Sequence, residues 1–193
     1  MSYYFTNDDQ LKSEIKKIDV IIDKLPFSFW TDNGVFSKKG LDFGTRTLLE
    51  NLTDIKGDVL DIGCGYGPIG IYVAKTFKTN VDMIDINKRS LALSLKNAQL
   101  NDVTVNVFES DLYSNIDKKY DFIITNPPIR VGREILYKML FEAKNHLHKN
   151  GELWLVINKD QGAKSLLKDL NKEYEATVVC KNKGFFIIRA INN

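Results

Sequence analysis

The chain has 193 residues and nearly balanced charge, with 27 lysines and arginines against 25 aspartates and glutamates, which gives a formal net charge of +2. This length suits one domain over residues 1–193, and the charge lacks the basic excess of many nucleic-acid-binding proteins without excluding a local basic patch. No apolar run approaches the roughly 20 residues that span a bilayer, and the N-terminus does not resemble a signal peptide. We therefore expect a cytoplasmic protein without membrane contact, in which Cys64 and Cys180 are free thiols.

Residues 1–35 form an N-terminal extension whose secondary structure the sequence leaves open. A helix would be consistent with the heptad spacing of Leu11, Ile15, Ile18 and Ile22. The segments "IDVIID" and "PFSFW" instead alternate with period two, as strands do. Periodicity alone does not decide between the two, and we favour a β-hairpin from Lys17 to Thr31. The segment "GLDFGTRTLLENL" then predicts a helix before the first parallel strand.

From about residue 57 the chain alternates between strand and helix patterns. Apolar strands are predicted at "DVLDIG", "VDMIDI", "VTVNVF", "DFIITN" and "GELWLVI". Amphipathic helices are predicted between them, and one of these helices begins after Asn87 with a buried face of Leu91, Leu95 and Ala98. The last two strands, in "EATVVCK" and "FFIIRA", are joined too tightly for a crossover, so they must be antiparallel.

This alternation predicts an α/β fold for residues 36–193, because buried strands alternating with helices form a parallel sheet covered on both faces. We expect a Rossmann-like, doubly wound, mostly parallel seven-stranded sheet. An antiparallel C-terminal hairpin lies at its edge, and a short N-terminal β-hairpin precedes it.

A glycine-rich loop follows the first parallel strand in "VLDIGCGYGPIG", with glycines at positions 63, 65, 67 and 70. Glycines let the backbone turn tightly and pass close to a ligand. Asp85, at the end of the next strand, lies twenty residues beyond Gly65, where an acid can bind a ribose. On its own the loop fits a nicotinamide dinucleotide and S-adenosylmethionine about equally well, and a purely structural turn is a third alternative.

Three further features favour S-adenosylmethionine. Asp61 at the strand end can engage a cationic amino-acid group but would repel a pyrophosphate. Asp111 follows the third strand and can reach an adenine amino group, and "NPPI" follows the fourth strand. All of these residues come at the carboxyl ends of parallel strands, where an open α/β sheet binds its ligands.

Taken together, "DIGCGYG", "DIN", "SDLY" and "NPPI" resemble class I S-adenosylmethionine-dependent methyltransferases. With "DNGVFSKKGLDFGTRTLLE", the chain resembles more narrowly the small methyltransferase-domain family, which includes the catalytic domain of ribosomal small-subunit methyltransferase C, a 16S rRNA guanine-N2 enzyme. The residue after N-P-P is usually aromatic in such enzymes, whereas here it is Ile129.

The resemblance implies an S-adenosylmethionine site and a catalytic motif. The implied cofactor-binding residues are Phe36, Asp42, Gly44, Thr45, Asp61, Gly63, Cys64, Gly65, Gly67, Asp85, Ile86, Asp111, Leu112 and Asn126. The implied catalytic residues are Asn126, Pro127, Pro128 and Ile129. In this hypothesis the Asn126 side-chain oxygen and the Pro127 carbonyl accept the two N–H groups of a planar amino group, so that its nitrogen faces the methyl donor.

The expected substrate is ribosomal RNA or the small ribosomal subunit, bound by a monomer. Candidate RNA contacts on the ligand-binding edge are Lys38, Lys39, Arg130, Arg133 and Lys159. A target base within folded RNA must leave its stack to reach the site. We expect no metal, since His146 and His148 have no third ligand in view.

Other hypotheses stay open at this point. The same chemistry can act on a protein glutamine or on an adenine of DNA or RNA, because these enzymes also carry N-P-P motifs. A dinucleotide-dependent oxidoreductase is disfavoured by Asp61 and by the absence of a hydride-site acid–base pair. A non-catalytic RNA-binding fold would require a degraded Asn126 or glycine loop, and both are intact.

Overall fold

A computed structural model describes residues 14–33, 40–128 and 132–193. The strands are β1 (Lys16–Ile22), β2 (Leu25–Thr31), β3 (Asp58–Ile62), β4 (Asn80–Asp85), β5 (Asn106–Glu109), β6 (Tyr120–Thr125), β7 (Leu147–Asn158), β8 (Glu175–Asn182) and β9 (Phe185–Ile191). The α-helices are α1 (Phe43–Leu49), α2 (Pro68–Phe77), α3 (Lys88–Leu100), α4 (Arg133–His146) and α5 (Ala163–Leu170). A short 3₁₀ helix spans Lys159–Gln161.

Seven strands form one sheet in the order β5-β4-β3-β6-β7-β9-β8. Strands β3 to β7 are parallel, and β9 runs antiparallel to both β7 and β8. Helices α1, α2 and α3 cover one face, whereas α4 and α5 cover the other. The predicted doubly wound sheet with its antiparallel C-terminal hairpin is therefore confirmed.

The strand order reverses between β3 and β6, which are neighbours in the sheet but lie far apart in sequence. An open α/β sheet leaves a crevice at the carboxyl ends of the strands where its order reverses. The glycine loop follows β3, and the Asn-Pro-Pro motif follows β6. The topology therefore brings these two motifs to the same crevice.

The N-terminal segment is a hairpin, as favoured from the sequence: β1 and β2 pair antiparallel around a turn at Asp23 and Lys24. Asn97 of α3 and Asn101, the C-cap residue of that helix, bind the outer edge of β2. Asn97 Oδ1 accepts from the Trp30 N–H at 2.6 Å and its Nδ2 donates to the Trp30 carbonyl at 2.9 Å. Asn101 makes the same pair of bonds to Ser28, at 3.1 and 2.7 Å. These side-chain amides satisfy the backbone groups of a strand edge that would otherwise lack partners.

The buried face of α3 agrees with the sequence prediction at Ala98, which is buried, and at Leu91, which packs half-buried against the core, but not at Leu95. Leu95, predicted to face the core, is 48% exposed. The buried residues of this helix are Ser90, Leu93, Ser94, Asn97 and Ala98. The buried face thus includes polar residues, because Ser94 bonds to the glycine loop and Asn97 bonds to the hairpin.

The β8–β9 hairpin turns at Lys183 and Gly184, both of which have positive φ. Asn158 at the end of β7 pairs with Phe185 at the start of β9. This turn therefore lies at the carboxyl edge of the parallel strands. No helix within the described ranges is long and apolar enough to cross a membrane.

Candidate active site

The loop after β3 is held against the end of β4 by its own backbone N–H groups. The N–H groups of Gly63 and Cys64 both donate to the Ile84 carbonyl at 2.9 Å. The N–H of Gly65 donates to Asp85 Oδ2, also at 2.9 Å. The conformation of the loop thus depends on the acid that ends β4.

Ser94 of α3 also holds the glycine-rich loop in place, through a hydrogen bond to its backbone. Its Oγ donates to the Gly65 carbonyl at 2.8 Å and lies 3.6 Å from Cys64 Sγ. Burial, with the nearby acids Asp85 and Asp61, raises the pKa of the Cys64 thiol well above its usual value, so this thiol stays neutral. Sequence reasoning did not identify Ser94, because one serine in an amphipathic helix gives no signal of a loop contact.

The glycines of the loop have two different physical roles. Gly63 and Gly65 have φ of 73° and 57°, and a Cβ at either position would meet no atom within 4 Å. A Cβ on Gly70, in contrast, would lie 2.6 Å from Met83 Cγ and Sδ. The first two glycines leave open space in front of the loop, whereas Gly70 lets α2 pack against β4.

Asp61 is a buried carboxyl at the end of β3. Its Oδ2 accepts the Gly70 N–H at 2.8 Å, whereas its Oδ1 is buried and has no hydrogen-bond partner among the described residues. Burial raises the pKa of Asp61 to about 7, with a further contribution from the charge of Asp85 and an opposing one from the Gly70 hydrogen bond. An unpartnered buried carboxyl oxygen is costly, and a cationic ligand would stabilise it.

Asp85 ends β4 and faces the same crevice from the neighbouring strand. Its two oxygens accept the N–H groups of Gly65 at 2.9 Å and Asn87 at 2.8 Å. Burial raises its pKa, although these backbone hydrogen bonds oppose that effect. A carboxylate has about four lone-pair sites, so Asp85 can still accept hydroxyl groups of a ligand. Ile86, which the resemblance also implies as a cofactor-binding residue, is 38% exposed.

The side chain of Asn126 is held by the first turn of α1. Its Nδ2 donates to Thr45 Oγ1 at 2.8 Å, and it lies 3.5 Å from Asp42 Oδ1. Asp42 is the N-cap of α1 and accepts both the N–H of Thr45, at 3.0 Å, and its hydroxyl. A carboxylate can only accept, so the amide nitrogen of Asn126 must face Asp42 and Thr45. This orientation directs the side-chain oxygen of Asn126 away from Asp42 and Thr45, and an amide oxygen can accept a hydrogen bond.

The other predicted site residues are placed as follows. Pro127 is buried and Pro128 is half-buried beside Asn126, and Gly44 is buried in α1. Asp111 is exposed after β5, and Leu112 beside it has a φ of 51°. Gly67, with a φ of 97°, is the N-cap of α2. The predictions for Phe36, Lys38, Lys39, Ile129 and Arg130 lie outside the described residues.

Of the two described RNA candidates, Arg133 is already paired. Its guanidinium lies 3.6 Å from Asp169 Oδ2, donates to Tyr137 Oη at 3.0 Å and covers the Tyr137 ring. Lys159 begins the 3₁₀ helix after β7, and its backbone N–H donates to the Gly184 carbonyl at 2.7 Å. Sequence reasoning did not distinguish these two cations.

The geometry defines a ligand site of the kind found in S-adenosylmethionine-dependent methyltransferases, and comparison with known proteins agrees. The sequence profile of the methyltransferase small domain matches residues 26–189. The chain is 42% identical to the Bacillus subtilis protein named uncharacterized protein YbxB, over 97% of both chains. The chain belongs to the methyltransferase small domain family and is an S-adenosylmethionine-dependent methyltransferase. This excludes the oxidoreductase hypothesis.

Further relatives are ribosomal RNA small subunit methyltransferases C. The Haemophilus influenzae enzyme is 36% identical over 83% of this chain and 49% of its own length, so the chain spans about half of that relative. The fold is similar to that of a Thermus thermophilus 16S rRNA N2 methyltransferase solved in complex with AdoMet and guanosine, with a TM-score of 0.84, 23% identity, and coverage of 95% of this chain and 52% of that chain.

Two features of the described residues fit S-adenosylmethionine. The first is the open space in front of Gly63 and Gly65, which side chains would fill. The second is the unpartnered Asp61 Oδ1, because the cofactor carries an ammonium group that a buried carboxylate can bind. Both lie at the crevice that also contains Asn126.

Proposed function

We propose that this protein methylates the exocyclic N2 amine of a guanine in 16S ribosomal RNA. The relatives named ribosomal RNA small subunit methyltransferase C, and the similar fold solved with AdoMet and guanosine, support this substrate class. The observation that carries the proposal is the fixed orientation of Asn126, whose side-chain oxygen is directed away from Asp42 and Thr45 and can accept an N–H from a planar amino group.

The cofactor is held by the ends of β3, β4 and β5 in this proposal. Asp61 Oδ1 would bind the ammonium group, and the backbone at Gly63 and Gly65 would hold the amino-acid moiety. Asp85 would accept the ribose hydroxyls, and Asp111 would accept from the adenine amino group. Asp61 would then gain a donor for the oxygen that has no partner among the described residues. Asp85 would use lone pairs that remain beside its two backbone hydrogen bonds.

When bound, S-adenosylmethionine would supply a methyl group on a cationic sulfur and would leave as the neutral thioether, while the methylated amine would release one proton to water. The chain has to orient a weak nucleophile, because the lone pair of a guanine N2 amine is delocalised into the ring. Asn126 Oδ1 accepts one N–H and the Pro127 carbonyl accepts the other. These two acceptors fix the amine and stabilise the positive charge that develops on it.

The proline residues make this arrangement rigid. Proline fixes its own φ and restricts the residue before it to extended geometry, so Pro127 limits the backbone of Asn126. The side chain is fixed separately by Thr45 and Asp42. Both the backbone and the amide of the motif are therefore ordered before the substrate binds, which lowers the cost of reaching the reactive geometry.

The proposal is tested by methyl transfer to unmodified RNA. Protein and isotopically labelled S-adenosylmethionine are incubated with unmodified 16S rRNA and, separately, with small subunits that lack methylation, and the nucleosides are then separated. We expect label in N2-methylguanosine. Label in an adenosine, or in a glutamine of a ribosomal protein, would overturn the guanine assignment while leaving the methyltransferase activity established.

A further inference from the structure

The turn between β8 and β9 lies beside the candidate active site. The turn consists of Lys183 and Gly184. The next residue, Phe185, pairs with Asn158 at the carboxyl edge of the parallel strands. The Gly184 carbonyl accepts the Lys159 N–H at 2.7 Å. Lys159 and Lys183 are thus brought together at one corner of the sheet, although 24 positions separate them in sequence.

This corner is joined to α1 by two phenylalanines. The rings of Phe43 and Phe185 have centroids 5.8 Å apart. A Cβ on Gly44 would lie 2.9 Å from Phe185 Cε1, so the ring of Phe185 packs directly on the α1 backbone. The next residue of α1 is Thr45, which holds Asn126. The two lysines therefore lie next to the turn of helix that fixes the catalytic motif.

The ammonium group of Lys183 is directed toward α1. Its Nζ lies 4.8 Å from the centroid of the Phe43 ring, a cation–π contact that favours one position of this long side chain. The Lys159 stem lies about 3.5 Å from the position that a Cβ on Gly184 would occupy. The backbone and an aromatic ring thus restrict both side chains at the mouth of the site.

Neither lysine forms an ion pair with a carboxylate in the part of the chain that the structure describes. Among the described residues, the ion pairs do not include Lys159 or Lys183. Arg133, in contrast, is paired with Asp169. The one acidic residue next to Lys159 in sequence is Asp160, which is exposed. Two exposed ammonium groups at one corner, without an ion pair to any described carboxylate, are complementary to an anionic ligand.

We propose that Lys159 and Lys183 bind backbone phosphates of the substrate RNA next to the target nucleotide. This inference rests on the proposed function. A base that enters the crevice must leave its stack, so the phosphates on either side of it lie at the mouth of the site. Lysine contacts to phosphate position a nucleic acid without reading its sequence. The pair would thus place the strand so that the extruded base reaches Asn126.

Lys181 offers a matched control on the same hairpin. It is exposed, and its Nζ lies 4.9 Å from the centroid of the Phe186 ring. Phe186 belongs to the core under α4 and α5, whereas Phe185 packs with the core under α1. Lys181 therefore has the same charge and the same kind of ring contact, but it lies on the opposite face of the sheet from α1.

The test compares the double variant Lys159→Ala/Lys183→Ala with Lys181→Ala and the wild type. Binding of a 16S rRNA transcript is measured over a series of potassium chloride concentrations, together with methyl-transfer kinetics and S-adenosylmethionine affinity. The logarithm of the affinity decreases linearly with the logarithm of the salt concentration, and we expect this negative slope to become shallower by about 0.7 for each lysine removed. The KM for RNA should rise several-fold, whereas kcat and cofactor affinity stay unchanged. Lys181→Ala should match the wild type.

The outcomes separate this inference from the proposed function. If the wild type methylates RNA and the double variant has the same salt slope and KM, the phosphate contacts are wrong and the proposed function stands. An equal loss in Lys181→Ala would also overturn the inference, because it would show a general effect of charge. If the wild type methylates a protein and no RNA, the proposed function fails and this inference fails with it.

Discussion

Asn126 and Thr45 lie 81 positions apart in sequence, yet the amide nitrogen of Asn126 donates a 2.8 Å hydrogen bond to the Thr45 hydroxyl. The hydroxyl in turn donates to the Asp42 carboxylate, which caps α1. This chain of hydrogen bonds determines which end of the amide faces the crevice. Methyl transfer should therefore depend on a helix cap that is remote from the Asn-Pro-Pro motif in sequence.

Thr45→Val tests this dependence, because valine keeps the shape of threonine and removes the hydroxyl. The Asn126 amide then loses its closest partner and can rotate, which misplaces the acceptor oxygen. We expect kcat to fall roughly ten-fold or more, since small misplacements of reacting groups are costly. The KM for RNA and the cofactor Kd should change little. Steady-state kinetics and calorimetry measure these quantities.

Two variants serve as controls for Thr45→Val. Thr45→Ser keeps the hydroxyl and should restore most of the activity. Thr47→Val removes a buried hydroxyl of the same helix, whose one hydrogen bond among the described residues is to the Phe43 carbonyl at 2.8 Å, and should leave kcat unchanged. A large rise in cofactor Kd with normal kcat in Thr45→Val would show that Thr45 binds the cofactor rather than positioning Asn126.

Because Gly65 and Gly70 have different physical roles, we expect Gly65→Ala to lose mainly cofactor binding and Gly70→Ala to lose mainly stability. Gly65→Ala places a methyl group in the open space in front of the loop, so we expect cofactor binding to be lost with a stability cost of about 1 kcal/mol from the positive φ. Gly70→Ala places its methyl group against Met83, so we expect about 2 kcal/mol of destabilisation from overpacking. Urea unfolding and cofactor titration measure both effects.

Gly162→Ala is the control for backbone strain in this comparison. Gly162 has a φ of 83° and lies between the 3₁₀ helix and α5, so alanine there is strained without entering the cofactor space. It should be destabilised like Gly65→Ala and bind S-adenosylmethionine normally. Normal cofactor affinity in Gly65→Ala would contradict the placement of the cofactor against this loop.

The pKa of Asp61, raised to about 7 by burial, predicts a pH-dependent cofactor affinity. Only the ionised carboxylate attracts the cofactor ammonium group, so affinity should fall about ten-fold for each pH unit below about 7. Asp61→Asn should bind weakly and with little dependence on pH in this range. Calorimetric titrations between about pH 5 and pH 7.5 test this. Equal pH profiles for the two proteins would contradict the role of Asp61.

The stability of the ligand-free protein gives an independent check on Asp61. Burial raises the pKa of Asp61 in the folded state above the usual value of an aspartate, so between these two values the folded state holds a proton that the unfolded chain releases. The free energy of unfolding of the wild type should therefore decrease as pH rises from about 4 to about 7, relative to Asp61→Asn. Urea unfolding of both proteins at several pH values measures the difference. A constant difference would show that the carboxyl titrates normally.

The hydrogen bonds of Asn97 should contribute strongly to the free energy of unfolding, because they join the N-terminal hairpin to α3. The side chain is fully buried and bonds to both backbone groups of Trp30 and to the Tyr66 carbonyl. Asn97→Ala leaves these groups without partners, so we expect a loss of about 3 kcal/mol in unfolding free energy. Gln99→Ala, an exposed position on the same helix, should change stability by less than about 0.5 kcal/mol. Equal stability of the two variants would contradict this role.

Local pattern was sufficient to predict most of the fold. The alternation of apolar strands and helices predicted the seven-stranded sheet, and the tight C-terminal connection predicted the antiparallel hairpin. The carboxyl-end rule for parallel strands also placed Asp61, Asp85 and Asn126 at one edge. These features follow from periodicity and chain direction, which a sequence shows directly.

The remaining features depend on contacts between distant segments. Leu95 was predicted to be buried because it is apolar, whereas Ser94 and Asn97 are buried because they bond to a loop and a strand elsewhere in the chain. Hydrophobic periodicity does not detect such polar contacts. The bond between Asn126 and Thr45 could not be predicted for the same reason: nothing in either local sequence specifies its partner.

The most direct test of the account is the single-turnover rate of methyl transfer to 16S rRNA by the wild type and Asn126→Ala. Cofactor affinity and thermal stability are measured on the same samples. We expect the variant to transfer methyl groups roughly hundred-fold more slowly, or slower still, while it remains folded and binds S-adenosylmethionine. An unchanged transfer rate in a folded, cofactor-binding Asn126→Ala would contradict the assignment of the Asn126 oxygen as the acceptor that positions the substrate amine.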